Sequence, residues 1–224
     1  GGIIIIPLNF ICSVRKKDIE LRSKFLKIYK INHINIFEES VFDDTSTTVC
    51  SIQFSKRGNG EICDINTDIY PSEKNIRIKL DKTNDYTIGG DIYKLPKPTT
   101  YKITRLMTRS LKEKNTNIVV KCVDSNSNNM IKMEIKDDNE LFIDNTEKHS
   151  ARGHMTLIIT PPISEVQQKK LVLDFNNYMK DKREQYNSLF LPNFRESSDI
   201  ARKRIPFDLV YRITEYLLRD QSSL

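Results

Sequence analysis

The stretch GGIIIIPLNFI (residues 1–11) decides the fold class that we predict for this chain. Its four consecutive β-branched residues, Ile3–Ile6, do not alternate with polar residues. Such a run is typical of a strand that is buried on both faces, in a parallel sheet covered by helices. The stretch begins without a methionine. We therefore expect either that a tag was removed before it, or that the chain is the later part of a longer protein.

The residues that follow predict the closing part of an α/β sheet. SVRKKDIELRSKFLKIY (residues 13–29) has helical periodicity, with Ser13 as the expected N-cap. INHINIF (31–37) and TVCSIQF (48–54) alternate as strands do. A polar loop with one aromatic residue, Phe42, joins these two strands. A strand, a helix, a strand, a loop and a strand within sixty residues are typical of an α/β sheet.

The remainder of the chain predicts a β-rich region and then helices. Short strands are expected at IRIKL (76–80), TNIVVKCV (116–123), MIKMEI (130–135) and HMTLIIT (154–160). Ser164 and Gln167 form a capping box, so a long helix should run from there to about Leu189. A last helix is expected near residues 206–219. The predicted domains are therefore 1–57 (the end of an α/β domain), 58–160 (β-rich) and 161–224 (helical).

Composition narrows the class of protein without identifying a reaction. No apolar run reaches the roughly 18 to 20 residues that a membrane span needs, so we expect no membrane partner. The cysteines lie far apart without a C-x-x-C pair, which argues against zinc and disulfides and favours an intracellular, reducing compartment. No complete catalytic motif is present, and the three histidines lack metal-like spacing. We predict no catalytic residue and no metal site in these 224 residues. The net charge of +6 permits an anionic partner.

Four segments in residues 1–57 carry a resemblance to a known family. They are GGIIIIPLNFICS, LRSKFLKIYKI, INIFEESVFDD and TTVCSIQFSKR. In order and spacing they resemble the TaqI-type (gamma-class) adenine-specific DNA amino-methyltransferases. In that family a G-G strand ending in Pro is followed by a helix with an internal Arg, a strand, an acidic loop carrying V-F and a hairpin strand. Three later segments look like the tails of such enzymes from large DNA viruses: RGHMTLIITPP, YNSLFLPNFRES and ARKRIPFDLVYRI.

The resemblance implies a fold, an activity and partners. The fold would be the closing strands of a Rossmann-like methyltransferase sheet, followed by an α+β recognition region. The parent enzyme would belong to restriction-modification and would transfer a methyl group from S-adenosylmethionine to the exocyclic amine of adenine in double-stranded DNA. The family's cofactor glycine motif and its N-P-P-Y tetrapeptide precede the G-G strand, and neither occurs here. The cofactor would therefore be bound by a missing upstream half, which a separate chain could carry. A viral enzyme would work in host cytoplasm or in the virion.

One functional residue of the family maps onto this sequence. The aromatic residue of its V-F motif stacks on the flipped adenine, and the matching position is Phe42. An extruded base loses its stacking neighbours, and an aromatic face returns about 1 to 3 kcal/mol. The alternative is a loop aromatic residue that folds back onto the sheet.

Two basic stretches are candidates for DNA contact. Residues 99–122 carry six basic side chains against one acid, Glu113. If residues 101–109 form a strand, Tyr101, Arg105 and Arg109 share a face from which arginines could contact phosphates or guanine edges. A solvated sheet face is the alternative for this stretch, and an ordinary surface cluster is the alternative for RKR (202–204). The predicted DNA-binding residues are Arg105, Arg109, Lys112, Lys114, Arg202, Lys203 and Arg204.

Two other classes of protein remain open from the sequence. The first is a non-catalytic DNA-binding or assembly subunit that retains a methyltransferase-like scaffold. The second is a structural protein whose resemblance to the family is accidental. A partner chain with the cofactor motif would support the enzyme, whereas failure to bind DNA even beside such a partner would favour the structural protein.

Overall fold

The chain forms two compact units in a computed structural model. The first comprises Gly1–Lys94 and Lys182–Lys203, and the second comprises Leu95–Asp181 and Arg204–Leu224. These boundaries differ from the expected ones at 57 and 160, because two strands beyond residue 57 belong to the first sheet. The structure describes residues 1–39, 41–42, 47–58, 64–124, 130–145, 153–191, 193–194 and 202–222.

Four α-helices, four short 3-10 helices and twelve strands make up the regular structure of these described residues. The helices are α1 (Asn9–Cys12), α2 (Lys16–Ile28), α3 (Glu165–Tyr186) and α4 (Phe207–Ser222). The strands are β1 (Gly2–Pro7), β2 (Tyr29–Phe37), β3 (Val49–Lys56), β4 (Ile65–Tyr70), β5 (Lys74–Ile78), β6 (Lys102–Arg105), β7 (Ile118–Lys121), β8 (Val123–Asp124), β9 (Lys132–Ile135), β10 (His154–Thr160), β11 (Asn193–Phe194) and β12 (Arg202–Arg204).

The first unit contains a mixed five-stranded sheet in the order β1-β3-β2-β4-β5. β3 runs antiparallel to both β1 and β2, so β1 and β2 are parallel to each other. β4 pairs with β2 in parallel, and β5 returns antiparallel to β4. The predicted strands at 31–37 and 48–54 are therefore confirmed, and the sheet extends two strands beyond them.

One face of this sheet forms the core of the first unit. Alternation places Ile34 and Ile36 of β2, Ile52 of β3 and Ile69 of β4 on this face, and all four are fully buried. They form one hydrophobic cluster with Leu26 of α2. Burial of the aliphatic side chains supplies about 1.5 to 3 kcal/mol each, which fixes the register of the strands.

The opposite face of the sheet is polar in its centre, whereas the edge strand β1 adds Ile3 and Ile5 to it. Asn35 Nδ2 donates to Ser51 Oγ at 3.1 Å, His33 Nε2 lies 3.0 Å from Asp68 Oδ2, and Asn75 Nδ2 donates to Asp68 Oδ1 at 2.7 Å. These side chains are all exposed or partly exposed. Their ladder gives the sheet one solvated face, as is common where antiparallel pairs dominate.

The prediction that Ile3–Ile6 is buried on both faces is wrong. β1 is the edge strand of the sheet, and 69% of Ile3 and 58% of Ile5 are exposed. Ile4 and Ile6 alternate with them and pack against the core cluster. A run of four isoleucines has no polar alternation, so the sequence pattern could not distinguish an edge strand from a central one.

The helix predicted from Ser13 begins two residues later. The backbone of Ser13 is extended after α1, and its hydroxyl donates to Asp18 Oδ2 at 2.6 Å. α2 then runs from Lys16 to Ile28 and buries Arg22 and Leu26. Tyr29 already belongs to β2.

The second unit contains an antiparallel four-stranded sheet in the order β6-β10-β7-β9. The capping box before α3 is confirmed: Ser164 N donates to Gln167 Oε1 at 2.9 Å, and Gln167 N donates to Ser164 Oγ at 3.2 Å. α3 ends at Tyr186, three residues before the expected end, because Asn187 and Ser188 have positive φ. The last helix is confirmed as α4.

Candidate functional site

Phe42 lies in the segment between β2 and β3, at the carboxyl end of β2. Its side chain is 47% exposed, and that of Val41 is 45% exposed. This exposure places the residue outside the buried core and leaves open the alternative of a ring that folds back onto the sheet. The Phe42 residue lies partly at the surface, and its stacking on a base stays a prediction.

Glu38 anchors the start of this segment. Its backbone N–H donates to the carbonyl of Tyr70 at the end of β4, at 2.8 Å. Its carboxylate forms an ion pair with the ammonium of Lys203 and also accepts from Asn187 Nδ2 at 3.4 Å. Only 16% of the Glu38 side chain and 8% of the Lys203 side chain are exposed. These contacts therefore hold Glu38 in place at the start of the segment that carries Phe42.

The predicted phosphate contact by Lys203 does not fit this position. Its ammonium is buried against Glu38, so in this conformation it is not available to a phosphate. Arg204 is partly exposed, and the side chain of Arg202 lies outside the described residues. The RKR stretch forms β12, in which Lys203 pairs with Asn193 of β11. No local pattern indicated the partner of Lys203, because Glu38 lies 165 positions away.

Arg105 has a structural position within the second unit. Its Nη1 lies 2.7 Å from Asp144 Oδ2, and its guanidinium carbon lies 4.9 Å from the centre of the Phe207 ring. The carboxylate of Asp144 is 1% exposed and the side chain of Arg105 is 21% exposed. A charge committed to a buried carboxylate is not available to DNA, so the expectation for Arg105 is corrected.

The expected shared face of Tyr101, Arg105 and Arg109 is also wrong. β6 ends at Arg105, and a 3-10 helix runs over Thr108–Glu113. The bend is fixed by Asp144, whose N–H donates to the carbonyl of Leu106 at 3.1 Å and whose carbonyl accepts from Thr108 N at 3.0 Å. Arg109 therefore extends from a different element than Arg105.

Arg109 and Lys112 are the members of the basic stretch that fit the expectation best. Both are exposed on the 3-10 helix, and neither forms an ion pair within the described part of the chain. Lys114 instead pairs with Asp138 at 2.5 Å. Hydrogen bonding from Lys114 holds the pKa of Asp138 below its usual range. Two of the seven predicted DNA contacts thus carry exposed charges without an ion-pair partner among the described residues.

Arg22 is a buried residue whose role the sequence did not reveal. Its guanidinium donates to the carbonyls of Phe10 (2.8 Å) and Ser13 (2.7 Å) and to Thr87 Oγ1 (2.5 Å). Burial lowers the pKa of Arg22, although arginine stays charged at any ordinary pH. These bonds join the chain between β1 and α2 to the segment after β5, so the role of Arg22 is structural.

The described thiols are unsuited to nucleophilic catalysis. Cys12, Cys50 and Cys122 are buried and free, whereas Cys63 lies outside the described residues. Burial raises the pKa of Cys50 and of Cys122 to about 12, and burial likewise raises that of Cys12. Protonated thiols at neutral pH are poor nucleophiles and poor metal ligands.

A pocket of about 450 Å³ lies on the first unit, near the end of α2. It is lined by Ser23, Leu26, Lys27, Arg57, Asp81, Lys82, Thr83 and Tyr86. Arg57 Nη1 donates to the carbonyl of Leu26 at 2.5 Å. Its charge therefore satisfies the carbonyl end of α2, and the pocket brings together none of the predicted site residues.

Comparison with known proteins leaves the family open, since no protein-family model matches the chain and a search of curated proteins found no relative. Within the described residues, no group of three or more His, Cys, Asp or Glu side chains is arranged to hold a metal ion. None of the helices in the described part is long and apolar enough to cross a membrane.

Proposed function

We propose that this chain is the target-recognition part of a DNA methyltransferase that acts on the exocyclic amine of adenine. A separate cofactor-binding half would bind S-adenosylmethionine and supply the methyl group. The chain described here would contribute the wall of the flipped-base pocket and contacts to the DNA backbone. Its own residues would bind and orient the base.

The observation that carries the proposal is the position of Phe42. The pieces on which the family resemblance rests occur as folded elements in the same order: β1, α2, β2, the exposed Val41–Phe42 pair and β3. The segment that carries Phe42 follows the carboxyl end of β2, which runs parallel to β4. Ligands of α/β sheets commonly bind outside the carboxyl ends of parallel strands.

The free edge of β1 supports a role for a second half. Edge strands usually carry charges that prevent further pairing, and β5 at the opposite edge carries Lys74 and Arg77. β1 carries no charge, exposes Ile3 and Ile5, and has no described strand on its outer side. Additional strands of a cofactor-binding half could continue the sheet at this edge, and other residues of that half could cover both isoleucines, which lie on the solvated face of the sheet.

Reconstitution tests the proposal. The partner would be a chain with a glycine-rich cofactor motif and an N-P-P-Y tetrapeptide, sought in the coding sequence upstream of this one. Mixed with this chain, it should transfer labelled methyl groups to adenine in duplex DNA. This chain alone should neither methylate DNA nor bind S-adenosylmethionine in calorimetry. Micromolar cofactor binding by the isolated chain would contradict the proposed division of labour.

The non-catalytic alternative has a distinct outcome in the same experiment. The exposed charges of Arg109 and Lys112 would suit a DNA-binding or assembly subunit equally well. Such a subunit would bind duplex DNA beside its partner while the complex transferred no methyl group. Methyl transfer that depends on Phe42 would exclude this alternative.

A further inference from the structure

Phe37 and Tyr70 form a stacked aromatic pair at the carboxyl ends of β2 and β4. Their ring centres are 5.8 Å apart and their planes differ by 18°. The two residues pair directly across the parallel strands, so the backbone register fixes the stack. Phe37 is partly buried, whereas 40% of Tyr70 is exposed. Phe37 therefore holds the Tyr70 ring in place from one side, while Tyr70 stays partly exposed to solvent.

The pair belongs to the same end of the sheet as Phe42. The carbonyl of Tyr70 accepts the N–H of Glu38, the residue from which the Phe42 segment departs. Glu38 and Phe42 are four positions apart in the sequence, so their Cα atoms lie at most about 14 Å from each other. Among the exposed aromatic residues of the described chain, Phe42 and Tyr70 lie at this end, and Tyr216 lies on α4 of the second unit.

The segment that carries Phe42 is acidic, with Glu39, Asp43 and Asp44 next to it in sequence, so affinity for a nucleic acid at this place must come from stacking and not from charge. Glu38 would repel a phosphate, but its carboxylate is neutralised by Lys203. An exposed aromatic face offers a base about 1 to 3 kcal/mol of stacking without regard to its identity. The carboxyl ends of parallel strands are also the usual place for a ligand in α/β sheets.

We propose that Tyr70, backed by Phe37, is a second stacking surface for an unpaired nucleobase, beside the surface assigned to Phe42. This inference rests on the proposed function in that it takes the ligand to be DNA. A duplex with an extruded base has lost stacking on that base and on its neighbours, and two aromatic surfaces would restore more of it than one.

Fluorescence of a short oligothymidine with one 2-aminopurine tests the proposal on the isolated chain. The wild-type chain should bind the oligonucleotide and quench the 2-aminopurine. Tyr70→Leu keeps apolar bulk against Phe37 but removes the π-face, so binding should weaken by about 5-fold to 150-fold. Tyr70→Phe should keep both binding and quenching.

Tyr216→Leu is the matched control. Tyr216 is 47% exposed and also has an aromatic neighbour, Tyr178, at 6.4 Å, but it lies in the second unit. Its substitution should leave quenching unchanged. Nitration of wild-type chain adds a measurement that needs no variant: bound oligonucleotide should protect Tyr70 and leave Tyr216 reactive.

Two results would overturn the proposal. One is Tyr70→Leu with wild-type binding and quenching. The other is equal nitration of Tyr70 with and without oligonucleotide. Neither measurement uses the cofactor half, so failed methyl transfer would reject the proposed function and leave the stacking result standing. A methylating complex in which Tyr70→Leu matches wild type in both assays would reject this inference alone.

Discussion

Glu38 and Lys203 form an ion pair that joins two segments 165 positions apart and is largely withdrawn from water. Only 8% of the Lys203 side chain is exposed, so its charge depends on the Glu38 carboxylate for compensation. Both charges lie at the base of the segment that carries Phe42. Lys203, which was expected to bind phosphate, therefore has a structural role.

Removal of one member of this pair should destabilise the first unit. Lys203→Met leaves the Glu38 carboxylate buried without its counter-charge, and such a loss costs about 3 to 5 kcal/mol. Urea unfolding measures the effect. The exposed pair of Lys16 and Glu20 at 4.0 Å is the control, and Lys16→Met should change stability by less than about 0.5 kcal/mol. Equal effects of the two substitutions would contradict the buried role.

Arg105 and Arg109 should respond in opposite ways to substitution. Arg105→Ala strands the buried carboxylate of Asp144, so it should lower the free energy of unfolding by about 3 kcal/mol or more. Arg109→Ala should leave stability unchanged but weaken DNA binding for all sequences, and the slope of log affinity against log salt should fall by about one unit. Unfolding curves and salt titrations separate the effects. An unchanged salt slope in Arg109→Ala would make this residue part of a solvated face.

Glu215 should make stability depend on pH. Its Oε1 accepts the N–H groups of Thr99 (2.6 Å), Thr100 (2.5 Å) and Tyr101 (3.2 Å). Burial opposes ionisation, but the backbone N–H groups prevail and hold the pKa of Glu215 below its usual range. A lowered folded pKa means that Glu215 stabilises the fold above the unfolded pKa of about 4.3, and that this contribution is lost as pH falls through the folded value.

The corresponding substitution is Glu215→Gln. It should cost about 1 to 3 kcal/mol at pH 7, because a neutral amide oxygen is a weaker acceptor for three donors. The difference from wild type should shrink as pH falls below about 4. Unfolding free energies measured from pH 3 to pH 7 test this. A difference that stays constant across that range would mean that the charge of Glu215 is not the cause.

Phe42 should be dispensable for folding and needed for function. Because its ring is 47% exposed, Phe42→Ala should change the unfolding free energy by less than about 0.5 kcal/mol. In the reconstituted complex it should slow methyl transfer or weaken binding of the flipped base, while Phe42→Tyr and Phe42→Trp should be milder because they retain a π-face. If Phe42→Ala unfolds the chain and surviving molecules methylate normally, Phe42 is a core residue.

Ile5 should matter for assembly and not for stability. It is 58% exposed on the solvated face of the sheet, so Ile5→Lys removes little buried surface from the isolated chain. A lysine on the edge strand would oppose strand addition and burial beside another chain. Binding of the cofactor half should therefore weaken, as measured by calorimetry. Gln53→Lys is the control, since Gln53 is an exposed residue paired with Ile3 on the inner neighbouring strand. Equal loss of binding in both variants would indicate a general charge effect instead of a role for the edge.

The sequence by itself determined the features that depend on neighbours along the chain. Alternation predicted β2 and β3, and Cys50 and Ile52 lie on the buried face of the sheet. The Ser164–Gln167 capping box predicted the start of α3, because both hydrogen bonds join residues three apart. The isolated aromatic residue between two acidic segments predicted an exposed ring at Phe42.

Only the tertiary structure decided the features that depend on distant partners. Ile3–Ile6 has the same local pattern at the edge of a sheet as at its centre, and the neighbouring strand alone decides which faces are exposed. Arg105 and Arg109 are equivalent as sequence, but among the described residues the carboxylate of Asp144 forms an ion pair with Arg105 and not with Arg109. Lys203 forms an ion pair with Glu38, which lies 165 positions away in the sequence. A charged side chain is available to another molecule only when no partner within the chain holds it. Long-range packing determines whether such a partner is present.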